Sequence, residues 1–217
     1  MILDDILINK KMVFDVGANN GLKTELFLRY NVKVICIEPQ KKCLEELHKK
    51  FKDKDVYIVP YGLSSNGENR KFRISNASTL STFSELFVDR TSKKRFKDYN
   101  WGSPVEIETK TLDDIIDMHG IPDFCKIDVE GSEKEVLLGL STSLPCLSFE
   151  YTPELHDVAI ECMNILSLLG KYTFRYSEGE TLEYSNEEWI SKENIDKYLI
   201  LNKDNIVFGD IYATLKD

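Results

Sequence analysis

Val13-Phe14-Asp15-Val16-Gly17-Ala18-Asn19-Asn20-Gly21 is the stretch whose reading decides the fold. An apolar strand runs into a glycine-rich turn, and a helix is expected to follow. Glycine at 17 and 21 lets the backbone pass close to a ligand and adopt conformations closed to side chains. A ligand held there would lie at the carboxyl ends of the strands, where open α/β sheets put their sites.

Outward from this turn, short β-branched runs alternate with helical patterns, the mark of a mostly parallel sheet flanked by helices. Strands are expected over 12–16, 33–38, 56–59, 124–129, 146–151, 172–176 and 206–215. Leu44, Leu47 and Phe51 share one helical face after the second strand. Thr111 reads as a helix N-cap with Asp114 at the third helical position and Gly120 as the stop. Ser132 and Glu135 have capping-box spacing as well. Thr152-Pro153 opens the clearest helix, whose apolar face is Leu155, Val158, Ala159, Cys162, Met163, Leu166 and Leu169, with Gly170 as its end.

The rhythm breaks after Tyr61-Gly62. A short extra strand is expected over 71–74, residues 76–84 are rich in Ser and Thr, 90–97 are basic, and regular alternation returns at 105–109. We expect one domain over 1–217, with 67–110 as an insertion that serves as a lid or acceptor-binding segment.

The chain has 217 residues, 42% hydrophobic and 30% charged, with a formal net charge of −9. It is long enough to bury a core without disulfides. The acidic excess argues against nucleic acid as a partner. The five cysteines are scattered, with no Cys-x-x-Cys pair; they read as small buried hydrophobes of a reducing cytoplasm. The acidic start, Met1-Ile2-Leu3-Asp4-Asp5, is unlike a signal peptide, and no stretch is long enough for a membrane span. A cytoplasmic location is expected. The oligomeric state stays open.

Spacing separates two cofactor classes. A dinucleotide fingerprint needs a second glycine two residues after the first and a third at its helix start. Here position 19 is Asn and position 22 is Leu. Asp15 would repel a pyrophosphate but suit a cationic amino group, which favours an amino-acid-like ligand. Glu38, followed by Pro39, can accept hydrogen bonds from both ribose hydroxyls.

The second signal is Lys126-Ile127-Asp128-Val129-Glu130-Gly131-Ser132-Glu133. Asp128 and Glu130 end an apolar strand at the same edge as Asp15, and alternation points them the same way. Burial beside a like charge raises a carboxylate pKa and makes it a candidate base. Lys126 reads as a strand residue whose amine reaches outward.

Asp15-Val16-Gly17-Ala18-Asn19-x-Gly21, Glu38-Pro39 and Lys126-Ile127-Asp128-Val129-Glu130-Gly131-x-Glu133 together resemble the FkbM family of S-adenosylmethionine-dependent methyltransferases, over roughly residues 13–150. The first motif is shared by many class I methyltransferases; the Lys-Ile-Asp-Val-Glu-Gly run is more specific. The resemblance implies the Rossmann-like class I fold, a seven-stranded sheet with its last strand antiparallel and helices on both faces. It implies S-adenosylmethionine and O-methylation, with hydroxyls of sugars, glycans or related natural products as acceptors. Carried over by position, Asp15, Gly17, Ala18, Asn19, Gly21, Glu38, Pro39, Tyr61, Gly62 and Asp128 should contact the cofactor. Asp128 first, and Glu130 second, should take the proton of the attacking hydroxyl. The two carboxylates would also suit Mg²⁺, whose preferred ligands are oxygens, but metal-free catalysis is the favoured reading.

Other candidates are weaker. His119 and His156 could act as bases, Glu150 is placed to line the pocket, and Tyr99 and Trp101 could stack on a sugar ring or pack the base of the loop. Two other readings use the same fold: a nicotinamide-dependent oxidoreductase, which lacks the glycine pattern, and a catalytically silent cofactor-binding module.

Overall fold

Eleven strands and eight α-helices follow one another in a computed structural model that describes residues 1–201 and 207–216. The strands are β1 (Met12–Val16), β2 (Lys33–Ile37), β3 (Val56–Val59), β4 (Gly62–Leu63), β5 (Arg70–Phe72), β6 (Val105–Ile107), β7 (Thr109–Lys110), β8 (Phe124–Ile127), β9 (Cys146–Tyr151), β10 (Tyr172–Glu178) and β11 (Gly209–Leu215). The helices are α1 (Ile2–Leu7), α2 (Leu22–Leu28), α3 (Lys41–Lys50), α4 (Glu85–Thr91), α5 (Leu112–His119), α6 (Glu133–Leu138), α7 (His156–Leu169) and α8 (Lys192–Leu201).

The main sheet has seven strands in the order β10-β11-β9-β8-β1-β2-β3. β11 runs antiparallel to β9 and β10, and every other pairing in this sheet is parallel. The expected architecture, with the last strand antiparallel, is therefore present. The start expected for that strand, Ile206, lies outside the described residues.

Period-two alternation sorts the central strands between two apolar layers. Val13, Val34, Cys36 and Phe124 pack with α1, α2 and α3. Phe14, Val16, Ile35, Ile37 and Cys125 pack with α5, α6, α7 and α8. Because both faces are covered, these strands read as near-continuous apolar runs. All five cysteines are free and buried.

From β1 the chain moves outward to β2 and β3, then returns to β8 on the other side of β1. That reversal opens a crevice at the carboxyl ends of β1 and β8. Residues 67–110 supply β5 to β7, α4 and a short 3₁₀ turn, Ser78–Leu80. β4 pairs with β7 and β5 with β6, so both ends of this segment are tied down beside the crevice.

Helix starts met expectation unevenly. The Thr111–Asp114 capping box forms as read, with both reciprocal bonds present. Ser132 makes no capping bond, and Glu135, the other half of the expected box, turns away to Arg70 and Ser65. Thr152-Pro153 begins a 3₁₀ turn rather than α7, and the Thr152 side chain caps nothing. The helix expected after the β1 turn is α2, and among the described helices α1, α4 and α8 had not been assigned from sequence.

Candidate active site

The turn after β1 is shaped by contacts of protein with protein. Gly17 has φ +81°, and a Cβ built there would sit 1.8 Å from the Asp128 carbonyl oxygen. Gly21, at the start of α2 with φ +76°, would bring a Cβ within 2.4 Å of the Phe51 ring. The sequence suggested that these glycines make room for a ligand. The space they free is instead taken up by the Asp128 backbone after β8 and by Phe51 and Leu47, although the Gly17 backbone does reach the crevice.

Between them Asn19 adopts φ +46°, a left-handed conformation that Asn tolerates. Its N–H donates to Glu38 Oε2 at 2.9 Å, and the Gln40 N–H donates to Glu38 Oε1 at 2.7 Å. Burial pushes the Glu38 carboxyl up, and the Gln40 and Asn19 amides oppose this by favouring the ionised form. Each carboxylate oxygen keeps acceptor capacity for a hydroxyl.

A pocket of about 620 Å³, open to solvent, runs from this turn across the sheet edge. Gly17, Asn19, Glu38, Pro39, Tyr61, Gly62, Asp128 and Glu130 line it, all of them expected. Asp15, Ala18 and Gly21 lie behind the wall. Asp15 is 1% exposed, and its Oδ2 accepts a 2.6 Å hydrogen bond from Thr24 Oγ1.

Gln40, Phe72, Ser78, Thr79, Ser81 and Phe83 also line the pocket and were not singled out from sequence. Gln40 Nε2 donates to the Ser78 carbonyl at 3.1 Å, and Ser78 Oγ donates to Asn19 Oδ1 at 3.2 Å. The Ser/Thr-rich run at 76–84 was the available signal: its short polar groups knit the segment to the β1 turn.

β8 ends at Ile127, so Asp128 and Glu130 stand in the following turn, not on the strand. Strand alternation is therefore not what brings them together. Glu130 has φ +54° and Gly131 φ +88°, two successive left-handed residues that fold the chain back. Carboxylate oxygens of Asp128, Glu130 and Glu150 then lie within 4.8 Å of one another. Burial, and after it the charges of its acidic neighbours, raises the Glu130 carboxyl well above the usual glutamate range; Glu150 behaves likewise. Glu133 is pushed up to about 7 by burial, against three backbone hydrogen bonds.

Lys126 does not reach outward. It is 5% exposed, and its Nζ lies 2.5 Å from Asp128 Oδ2. Burial disfavours its charge, but the carboxylates of Asp128, Asp210 and Asp15 outweigh that and keep it protonated. An amine at this strand position meets three carboxylates, Asp15 among them fully buried, which is a stronger pull than bulk water.

His119 stands at the end of α5, ahead of β8 and so at the opposite edge of the sheet, where it packs on Tyr57. His156 Nδ1 contacts the Pro153 carbonyl at the start of α7. The Trp101 indole donates to the Leu80 carbonyl and packs on Phe87, and Tyr99 packs on Phe96; both rings brace the inserted segment. In the basic stretch, Arg90 pairs with Asp157 and Arg95 lies near Glu154.

A parallel sheet with one antiparallel strand set beside its edge, a β1 turn facing an acidic residue at the end of β2, and a carboxylate after β8 define a class I methyltransferase. More narrowly, the chain belongs to the FkbM methyltransferase family: the model of the methyltransferase FkbM domain matches residues 15–176. The protein is thus an S-adenosylmethionine-dependent methyltransferase. Among solved structures, precorrin-6y C5,15-methyltransferase from Geobacter metallireducens GS-15 is similar at a TM-score of 0.50 and 12% identity, covering 99% of this chain and 85% of that one. A TehB-like SAM-dependent methyltransferase from Corynebacterium glutamicum aligns at a TM-score of 0.48 and 10% identity, with 99% and 85% covered. At such identities the likeness concerns the fold alone. A search of the curated proteins finds no match. No helix among the described residues is long and apolar enough to cross a membrane.

Proposed function

We propose that the protein methylates a hydroxyl oxygen of a sugar, glycan or related small molecule, with Glu130 as the general base. When bound, S-adenosylmethionine supplies an electrophilic methyl group and a positive charge. Glu38, its carboxylate fixed by two backbone amides, would accept both ribose hydroxyls. Gly17 and Asn19 would form the floor of the pocket, with Pro39, Tyr61 and Gly62 along one wall. Site geometry then supplies proximity, which for an in-line displacement is a large share of the acceleration.

One observation carries the assignment of the base. Asp128, expected first from sequence, is held by Lys126, while Glu130 has no such cation in hydrogen-bond contact among the described residues. A half-buried carboxylate with a raised pKa is better matched to accepting a proton from a weakly acidic hydroxyl. Asp128 acts beside it as a fixed negative charge facing the cofactor. The Lys126 contact also weighs against Mg²⁺, since an ammonium already occupies one oxygen that the ion would need. The family assignment sets aside the nicotinamide-dependent reading. A reducing compartment suits the five free, buried cysteines.

The test is turnover against a panel of methyl glycosides, free sugars and hydroxylated natural products, with cofactor affinity measured by calorimetry. Glu130→Gln should bind S-adenosylmethionine within a few-fold of wild type and lose about 10²–10⁴ in rate, the range for a general base. Asp128→Asn should lose less. If Asp128→Asn loses more, the two roles are exchanged; if chelation abolishes turnover, the carboxylates hold a metal. Binding without turnover on every acceptor would identify a silent module.

A further inference from the structure

The Lys126–Glu133 run ends in a glutamate that the proposed chemistry does not use. Glu133 opens α6, and an acidic residue there ordinarily faces solvent near the helix amides. Here the residue is 3% exposed and its side chain turns back. Its Oε1 accepts from the Val129 N–H and the Gly131 N–H, both at 3.1 Å. Those two amides flank Glu130, whose own φ of +54° is unfavourable for a residue with a side chain. Thr82 Oγ1 donates to the Glu130 carbonyl at 2.7 Å, so the peptide groups around Glu130 are held from both sides.

We infer that Glu133 is a positioning residue: one oxygen clamps the amides on either side of Glu130 and so fixes where the Asp128 and Glu130 carboxylates point. Its role in turnover rests on the reading of Glu130 as base. Both bonds go to a single oxygen, and either protonation state of the carboxyl keeps that acceptor. A glutamine carries the same acceptor on the same stem, whereas an alanine leaves both amides without a partner. Left unheld, a left-handed glutamate would relax toward ordinary backbone and turn its carboxylate away from the crevice.

The test compares Glu133→Gln and Glu133→Ala with wild type in the full chain, beginning with amide hydrogen exchange without ligand. Val129 and Gly131 should exchange slowly in wild type and Glu133→Gln, and at least about tenfold faster in Glu133→Ala, with Val136 to Leu138 unchanged. S-adenosylmethionine affinity should stay within a few-fold in all three. Turnover on an accepted sugar should fall about 10²-fold in Glu133→Ala and largely recover in Glu133→Gln. Unchanged exchange in Glu133→Ala would overturn the clamp, as would equal acceleration in Glu133→Gln or acceleration spread through α6 and β8. Freed amides with normal turnover would overturn the positioning role. Glu130→Gln run alongside separates the two ideas: normal turnover there sinks the base assignment, while the exchange data still judge the clamp.

Discussion

Lys126 and Asp128 form an ion pair at the edge of the sheet, Nζ to Oδ2 2.5 Å, with the lysine side chain 6% exposed. Two further carboxylates act on the same ammonium: Asp15 from the end of β1 and Asp210 from β11. Three strands thus meet through one buried cation, and the crevice is assembled where they end.

Lys126→Met should therefore destabilise the protein by about 3 kcal/mol, the cost of leaving buried charge unpaired. The loss should depend on pH. Burial raises the Asp15 and Asp210 carboxyls, and the Lys126 charge opposes that rise in both. An acid whose folded pKa is raised stabilises fully below its unfolded value, and that stability is lost as pH rises through the folded value. Without the lysine the rise is larger, so the gap to wild type should widen as pH climbs above the ordinary aspartate range, about pH 4. Thermal melts at a series of pH values from about 4 upward check it; a constant gap would mean the methionine acts only through packing.

Glu38→Ala should weaken S-adenosylmethionine binding by about 1.5–3 kcal/mol, from lost charge-assisted hydrogen bonds. Affinity for free methionine, which has no ribose, should barely change. Because Glu38 also anchors Asn19 and Gln40 through their amides, Glu38→Gln is the sharper variant. It keeps one acceptor for the turn and loses the charge, so its cofactor affinity should fall between wild type and alanine. Equal losses for both ligands would show that Glu38 acts on the turn and not on ribose.

Gly17→Ala should cost more than about 3 kcal/mol, because the added Cβ collides with backbone in a left-handed residue. Gly179 supplies the control. It has φ +65° and nothing within 4 Å of a built Cβ, so Gly179→Ala should cost only about 1–2 kcal/mol. Similar melting temperatures for the two variants would remove the claim that Gly17 is required by the Asp128 carbonyl.

The fold was legible where a single local rule decides. β1, β3 and β9 are apolar runs bounded by turn residues, and α5 carries a reciprocal cap that needs only its own four residues. The place of Glu38 on the pocket wall was legible because the residue closes the second strand. Lys126, Glu133 and the Ser132 cap were not, because their partners come from elsewhere: Asp210 on β11, amides in a left-handed turn, and Arg70 drawing Glu135 away. α2 was legible from the glycine turn before it, although Gly21 starts it without a side-chain cap. α4 had a readable start, as Ser84 accepts from the Phe87 amide, but no acidic residue at the third helical position marked it.

The pH profile of turnover offers the most direct view of the carboxylate cluster. A base works only when unprotonated, so kcat/KM should rise with pH through the apparent pKa of the group that takes the proton. Burial lifts Glu130, Asp128 and Glu133 add to the lift as like charges, and Arg95 and Lys126 oppose it. The acid limb of wild type should therefore lie above the ordinary glutamate range. Asp128→Asn removes the largest like charge and frees Lys126 from its partner, and both changes favour ionised Glu130. The limb should then move toward lower pH by about one unit or more, even where the absolute rate falls. Since these acids titrate together, the limb reports the cluster and not one residue alone. A limb that stays in place would mean the proton goes to a group that does not feel Asp128, and Glu130 would lose its role as base.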